Sequence, residues 1–201
     1  MKILSKTYMW IIFILLYAPI VMLVLFSFNE AGSLNRFSGL TLYWYRELFR
    51  DAEALKALKN SLTLAISSSL LATVIGTFAA LGIDRMRSKH LKGALTSITN
   101  IPMMNPDIVT GVSMMLLFVF VGKALSLEAS LGFGSLLIAH VTFNLPYVIL
   151  NVLPKLRQTD PHLAEAAEDL GCTPFKAFFK VVIPSIMSGI LSGFVMSFTL
   201  S

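Results

Sequence analysis

Charged side chains are scarce in this sequence: Asp, Glu, Lys and Arg make up 13% of its 201 residues, about half the share of an ordinary soluble domain. That leaves too little polar surface to cover a water-facing domain, so the expected solvent is lipid. One cysteine, Cys172, excludes an intrachain disulfide framework and any multi-cysteine metal site. The period-two alternation of a membrane barrel is missing, and only helices or closed barrels satisfy the backbone in hydrocarbon. No GxxxxGK[ST] phosphate-binding loop occurs, and no nucleophile–base set or metal-spaced cluster is visible. An enzyme is therefore not expected. The net charge of +5 does not indicate a nucleic-acid binder, because Lys and Arg fall between apolar runs rather than along one stripe.

The apolar runs organise the chain. Uncharged stretches of 23 and 24 residues follow Lys6 and Lys59, and 30 residues with the single charge of Asp107 follow Lys92. A further 26 follow Glu128, and 21 run from Val181 to Ser201. About 20 apolar residues cross a bilayer as a helix. The expectation is an all-α polytopic bundle forming one domain over residues 1–201, with spans at about 8–28, 61–83, 95–121, 133–154 and 181–201. The first run exceeds a signal-peptide core, and no small-x-small cleavage site follows it, so it reads as a retained anchor. With the N-terminus inside, ten Lys/Arg residues fall on the inner side and six on the outer, which favours a cytoplasmic N-terminus. The sequence stops at Ser201 directly after an apolar run, which suggests a C-terminal truncation.

Two loops carry information. The outer segment 29–60 holds Leu42-Tyr43-Trp44-Tyr45 and then a charged, helix-compatible stretch. It reads as an interfacial helix, with a docking surface for an external partner as the alternative. In the inner segment 155–180, Asp160-Pro161 is a helix start, and Gly171 suits a stop. Between them Leu163, Ala166, Ala167 and Leu170 share one helical face, with Glu165, Glu168 and Asp169 off it. Thr173-Pro174 begins a second helix. So short a helix is marginal alone, and its acidic residues argue against an anionic lipid surface. A partner-docking helix is the sharper reading.

Inside the spans, Asp107 is the one acidic residue, after Pro102 and Pro106. A carboxylate at a bilayer centre costs at least ~2.5–3.5 kcal/mol, so it should face the bundle interior or water; the alternative is that it caps the helix that resumes after Pro106 or lies near the membrane boundary. His140 and Asn144 lie four apart and read as interhelical hydrogen-bonding groups. Gly189 and Gly193, and Gly76 with Ala80, are small-residue pairs that permit close helix approach.

The sequence Glu165-Ala166-Ala167, three residues, Gly171, nine residues, then Val181-x-Ile183-Pro184 resembles the EAA loop of ABC-importer permeases. Val181 and Ile183 are conservative departures from the I-x-L-P that closes that pattern. Met104-Asn105-Pro106-Asp107-Ile108-Val109 and the Trp44-Tyr45 loop resemble the spermidine/putrescine permeases of that family, and the likeness runs from the first span to Ser201. The resemblance implies a type I importer permease fold of six spans, the sixth missing from this sequence, in a bacterial inner membrane. It implies ATPase coupling through Leu163, Glu165, Ala166, Ala167, Leu170, Gly171 and Pro184, and a substrate path that includes Asn105 and Asp107. It implies as partners a cytoplasmic ATPase dimer, a second homologous permease and a periplasmic substrate-binding protein; ATP and Mg are used by the ATPase and no cofactor is bound by this chain. Another cargo (ferric iron, thiamine or an oxyanion) is the alternative within the same machine. An ion-coupled secondary transporter is the alternative outside it, disfavoured by the single intramembrane carboxylate and the absence of an evident repeat.

Overall fold

A computed structural model describes residues 2–33, 35–104, 106–126 and 131–201, with side chains from residue 6 onward. Ten α-helices and one π-helical turn account for nearly all of them, and the only strand-like feature among them is an isolated bridge between Asn29 and Leu40. The chain divides into two compact units, residues 1–59 and 60–201.

The first unit contains α1 (Lys2–Ser27) and α2 (Tyr43–Arg50). From Lys6 to Ser27 α1 is a candidate membrane span whose apolar side chains are exposed from Tyr8 to Leu25, as suits a helix solvated by lipid. The segment between α1 and α2 is ordered by Asn29, which is fully buried. Its Nδ2 donates to the carbonyls of Ser33 (2.7 Å) and Arg36 (2.6 Å), and its Oδ1 accepts from the Ser38 N–H at 2.9 Å. α3 (Ala52–Arg85) begins directly after α2. Asp51 separates the two: its Oδ1 accepts from the N–H groups of Glu53 (2.9 Å) and Ala54 (3.1 Å), which satisfies donors that a helix start leaves open. The span expected at 61–83 is thus the membrane-length part of a 34-residue helix.

The second unit is organised around α3, α6 (Phe133–Gln158) and α10 (Met187–Leu200). Its core joins Ala72, Ala80 and Ile83 of α3 to Val148, Ile149, Val152 and Leu153 of α6, with Ile186 just before α10. α3 contributes small residues: Ala65, Ser68, Ser69, Ala72, Thr73, Gly76, Thr77 and Ala80 form its buried face. A Cβ on Gly76 would lie 2.7 Å from Val148 Cγ1, and one on Gly193 would lie 3.2 Å from the Val148 Cα. Val148 is therefore held between two glycines on two other helices. Lipid tails are as apolar as leucine, so helices in a bilayer associate through close van der Waals contact, which small residues permit.

Two expected spans take a different form. The region 95–121 is divided into α4 (Lys89–Met104) and α5 (Asp107–Ala124), and α5 is the candidate span. Pro106 explains the interruption: it lacks an N–H, and it precedes α5 with extended backbone (φ −59°, ψ 134°). Lys92 closes the α3–α4 connection by donating to the Asp84 carbonyl (2.9 Å) and carboxylate (3.1 Å). The region 181–201 is not a straight helix either. α8 (Pro174–Ala177), the π-helical turn Phe178–Val182 and α9 (Ile183–Ser185) form one arm, and α10 departs from it by 66°. Pro184 removes a backbone donor just before the bend, and the π turn has already loosened the ladder. Among the described residues four helices are long and apolar enough to cross a membrane, or five if the bent pair counts as one.

Candidate functional site

The segment after α6 builds a compact two-turn element. Asp160 orders its entry: its Oδ1 accepts the His162 N–H at 2.9 Å, and its carbonyl accepts the Leu163 N–H at 3.3 Å. The α-helix proper, α7, begins at Leu163 and ends at Asp169, three residues later than the expected start at Asp160. Pro161 and His162 form a turn instead, closed by the bond from the Leu163 N–H to the Asp160 carbonyl three residues back, while the Asp160 carboxylate satisfies the His162 N–H as a cap would. Gly171 has φ +89°. Its N–H donates to the Glu168 carbonyl (2.9 Å) and the Cys172 N–H to the Ala167 carbonyl (3.0 Å). These two bonds with a left-handed glycine are a Schellman motif, so Gly171 terminates α7 as the sequence indicates. Thr173 then starts α8, its Oγ1 accepting the Lys176 N–H at 3.4 Å with Pro174 in the first turn.

The four residues of the expected inward face do not all pack inward. Ala167 is buried, whereas Leu163, Ala166 and Leu170 are exposed, Leu170 at 88%. In this seven-residue helix Ala167 is buried and Ala164 partly so against its own chain, which leaves Leu170 uncovered and Leu163 37% exposed. Glu165 is exposed and lies 2.9 Å (Oε2) from His162 Nδ1. This contact, with the nearby Glu165 and Asp160 charges, raises the His162 pKa above the ordinary histidine value. His162 was not singled out from the sequence, although its position three residues before Glu165 on a helix start was the signal. Pro184 belongs to the arm before the α10 bend, outside α7.

A second feature is a cavity of about 740 Å³ lined chiefly by α5 and α6. Asp107, Thr110, Met114 and Phe118 follow one another at helical spacing along α5, facing Ser135, His140 and Phe143 from α6. The wall is mostly apolar with a few polar groups, the composition of a small-molecule site. Asp107 lies at the first position of α5, exposed, and among the described residues its carboxylate makes no hydrogen bond. It is thus at the end of a candidate span rather than within one, and the bilayer-centre cost does not apply to it. The capping alternative is not realised: Pro106 occupies the cap position and no side chain caps the helix. Asn105, the other expected path residue, lies outside the described residues.

His140 and Asn144 divide rather than act together. His140 lines the cavity, while Asn144 is fully buried and its Nδ2 donates to Ser201 Oγ at 2.7 Å. Ser201 Oγ also lies 2.8 Å from Ser68 Oγ, so one hydroxyl links α3 and α6. Among the described residues no three His, Cys, Asp or Glu side chains come together as a metal-holding group.

Residues 72–201 match the family profile of the binding-protein-dependent transport system inner membrane component. The chain is 39% identical over 189 residues to the putrescine transport system permease protein PotI of Escherichia coli K12, covering 94% of this chain and 67% of that protein. It is 37% identical over 198 residues to the spermidine/putrescine transport system permease protein PotC of Haemophilus influenzae, covering 98% and 74%. A similar match, 29% identical over 212 residues, is to a PotC homolog of Mycoplasma genitalium.

Proposed function

Because the chain belongs to the inner-membrane components of binding-protein-dependent transport systems, we propose that it is the permease subunit of an ATP-driven polyamine importer. Residues 1–201 act as one permease domain in this reading, paired with a second homologous permease in the bacterial inner membrane. A periplasmic binding protein delivers putrescine or spermidine, the cargo named for its relatives. A cytoplasmic ATPase dimer uses ATP and Mg, and α7 receives its motion. The N-terminus and the α7 segment face the cytoplasm, in keeping with the distribution of Lys and Arg.

The observation that carries this reading is α7 itself. It is a short helix closed by a left-handed glycine, fixed to its own chain through Ala167 and presenting Leu163, Leu170 and Glu165 outward. The apolar groups suit a groove on the ATPase, and Glu165 suits a cation beside it. Ala166, small and exposed, lets the partner backbone approach. Transport needs push and pull to pass from a soluble ATPase to membrane spans, and α7 is followed within a few residues by the arm that leads into α10. Asp107 supports the cargo assignment: a carboxylate in a cavity between α5 and α6 attracts a polycation and repels an anion.

Two variants in the assembled complex test the two halves separately. Glu165→Lys places like charge at the interface and is expected to abolish both ATPase association and substrate-stimulated hydrolysis, with membrane insertion unchanged. Normal association and stimulation would remove α7 from the coupling role. Asp107→Asn is expected to reduce uptake of labelled putrescine while stimulated hydrolysis persists. Unimpaired uptake would remove Asp107 from the path, and uptake of ferric iron, thiamine or an oxyanion in place of polyamine would replace the cargo.

A further inference from the structure

We propose that α2 is an interfacial helix whose apolar face lies in the headgroup–acyl boundary of the lipid bilayer, at the level where α1 ends. With about 100° between successive residues, Trp44, Tyr45, Leu48 and Phe49 share one side of α2. Tyr43, Arg46, Glu47 and Arg50 occupy the other. The segregation is complete over eight residues, and none of them is buried. A helix with strong apolar–polar division and modest overall hydrophobicity lies in a membrane surface rather than across it.

Depth is set by tethers to α1 within the same compact unit. Tyr45 Oη lies 2.8 Å from Ser27 Oγ, and the Tyr45 ring lies 5.3 Å from that of Phe28. Ser27 is the last residue of the candidate span Lys6–Ser27, so the phenol of α2 sits at the height where the span leaves the hydrocarbon. Trp44 provides the second tether. Its Nε1 donates to the Asn29 carbonyl at 3.1 Å, and its ring covers Gly32, where a Cβ would meet it at 2.7 Å. The buried Asn29 in turn holds the carbonyls of Ser33 and Arg36. α2 therefore cannot swing away from the end of α1.

Lipid is the occupant these features select. The uncovered part of the face is Leu48 and Phe49 (71% exposed), and α1, in the same unit, exposes its apolar side chains from Tyr8 to Leu25. Tyr and Trp are favoured at the hydrocarbon–water boundary, and here both have their polar atoms hydrogen-bonded to the end of the span. The opposite side carries Arg46, Glu47 and Arg50, charged groups that stay in the headgroup and water layer while the other face enters the acyl boundary. The inference depends on α1 crossing the membrane and not on the cargo or the ATPase.

Nitroxide accessibility of the full chain tests it, in vesicles of phosphatidylethanolamine and phosphatidylglycerol. In a Cys172→Ser background, labels are placed singly through Phe49→Cys, Leu48→Cys and Glu47→Cys. The expected result is that the labels at 48 and 49 are several-fold more accessible to oxygen, relative to an aqueous nickel chelate, than the label at 47. Equal access of the nickel reagent to all three positions would overturn the proposal. Protection of 48 and 49 from both reagents would also overturn it, since protein and not lipid would then cover the face. Shielding of 49 only on addition of the purified external binding protein would reassign α2 as a docking surface. The two apolar positions are independent, so a poorly folded variant at one leaves the other to decide.

Discussion

Glycine serves opposite purposes in the packed seam of α3, α6 and α10 and in the turn that closes α7. At Gly76 and Gly193 it supplies the absence of volume. A Cβ at 76 would meet Val148 at 2.7 Å, and at Gly189 it would meet the Asn151 carbonyl at 2.9 Å. At Gly171 nothing lies within 4 Å of the would-be Cβ, yet φ is +89°. There glycine supplies a backbone conformation. The difference teaches where each region's stability resides. The seam depends on contact between helices, for which the bilayer offers no hydrophobic substitute, whereas the α7 turn depends on local dihedral angles and two backbone hydrogen bonds.

Substitution at Gly76 gives the largest expected effect. Gly76→Val drives methyl groups into Val148 and is expected to destabilise the seam by about 1–3 kcal/mol, the usual cost of overpacking. Thermal unfolding in detergent measures it. Val148→Ala in the same chain should return part of the loss, because it removes the Cγ1 atom that is struck, whereas the Cβ of residue 148, at 2.8 Å, remains. Gly111→Ala in α5, where a Cβ meets nothing within 4 Å, should leave unfolding close to that of the parent chain. If Gly76→Val and Gly111→Ala behaved alike, the close approach of α3 to α6 would not hold.

Gly171 ranks second. A β-branched residue in the left-handed region costs about 1–2 kcal/mol, confined to the end of α7. Gly171→Val should therefore leave the thermal transition of the seam nearly unchanged while lowering substrate-stimulated hydrolysis in the assembled complex. Gly171→Asn, which tolerates the left-handed conformation, should retain most of that stimulation. Equal losses in both variants would mean that space at the interface, rather than the dihedral angle, makes glycine necessary.

The same contrast governs what could be read from the residues alone. The spans were legible because a bilayer demands about 20 uncharged residues in a row, and the small-residue pairs were legible because lipid leaves close approach as the means of association. The glycine stop of α7 was legible because one residue type dominates that conformation. What escaped was set by hydrogen bonds competing at single residues. The Asp160 carbonyl takes the Leu163 N–H in a three-residue turn ahead of α7, Asp51 starts α3 well before its apolar run, and Asn29 folds the loop that follows it around its amide. The π turn at Phe178–Val182 and the 66° bend after Pro184 were hidden because hydropathy counts residues without regard to their direction. In the candidate site, Asp107 stood out as a lone charge, but its place at a helix start facing His140 across a cavity depends on the break at Pro106.

The smallest expected effect adds a titratable contact to the α7 side of the comparison. His162 and Glu165 are both exposed, with Nδ1 and Oε2 2.9 Å apart. Water screens such a pair, so its contribution to stability is slight, but its effect on the proton is measurable. The hydrogen bond that His162 Nδ1–H donates to Glu165, then the Glu165 and Asp160 charges, raise the His162 pKa. A histidine whose folded pKa exceeds its unfolded value contributes fully below the unfolded value of about 6.5, and that contribution is lost as pH rises through the folded pKa. A pH titration followed by NMR of labelled histidine should give His162 a midpoint above the ordinary one. Glu165→Gln should lower it by removing the carboxylate charge, and Asp160→Asn should lower it less, because Asp160 acts only through its charge at longer range. A His162 midpoint unmoved by Glu165→Gln would show that the two side chains do not stay together. Glu165 would then be free at every pH to meet a cation on the ATPase, whereas the paired geometry leaves it freer as pH rises and His162 loses its charge.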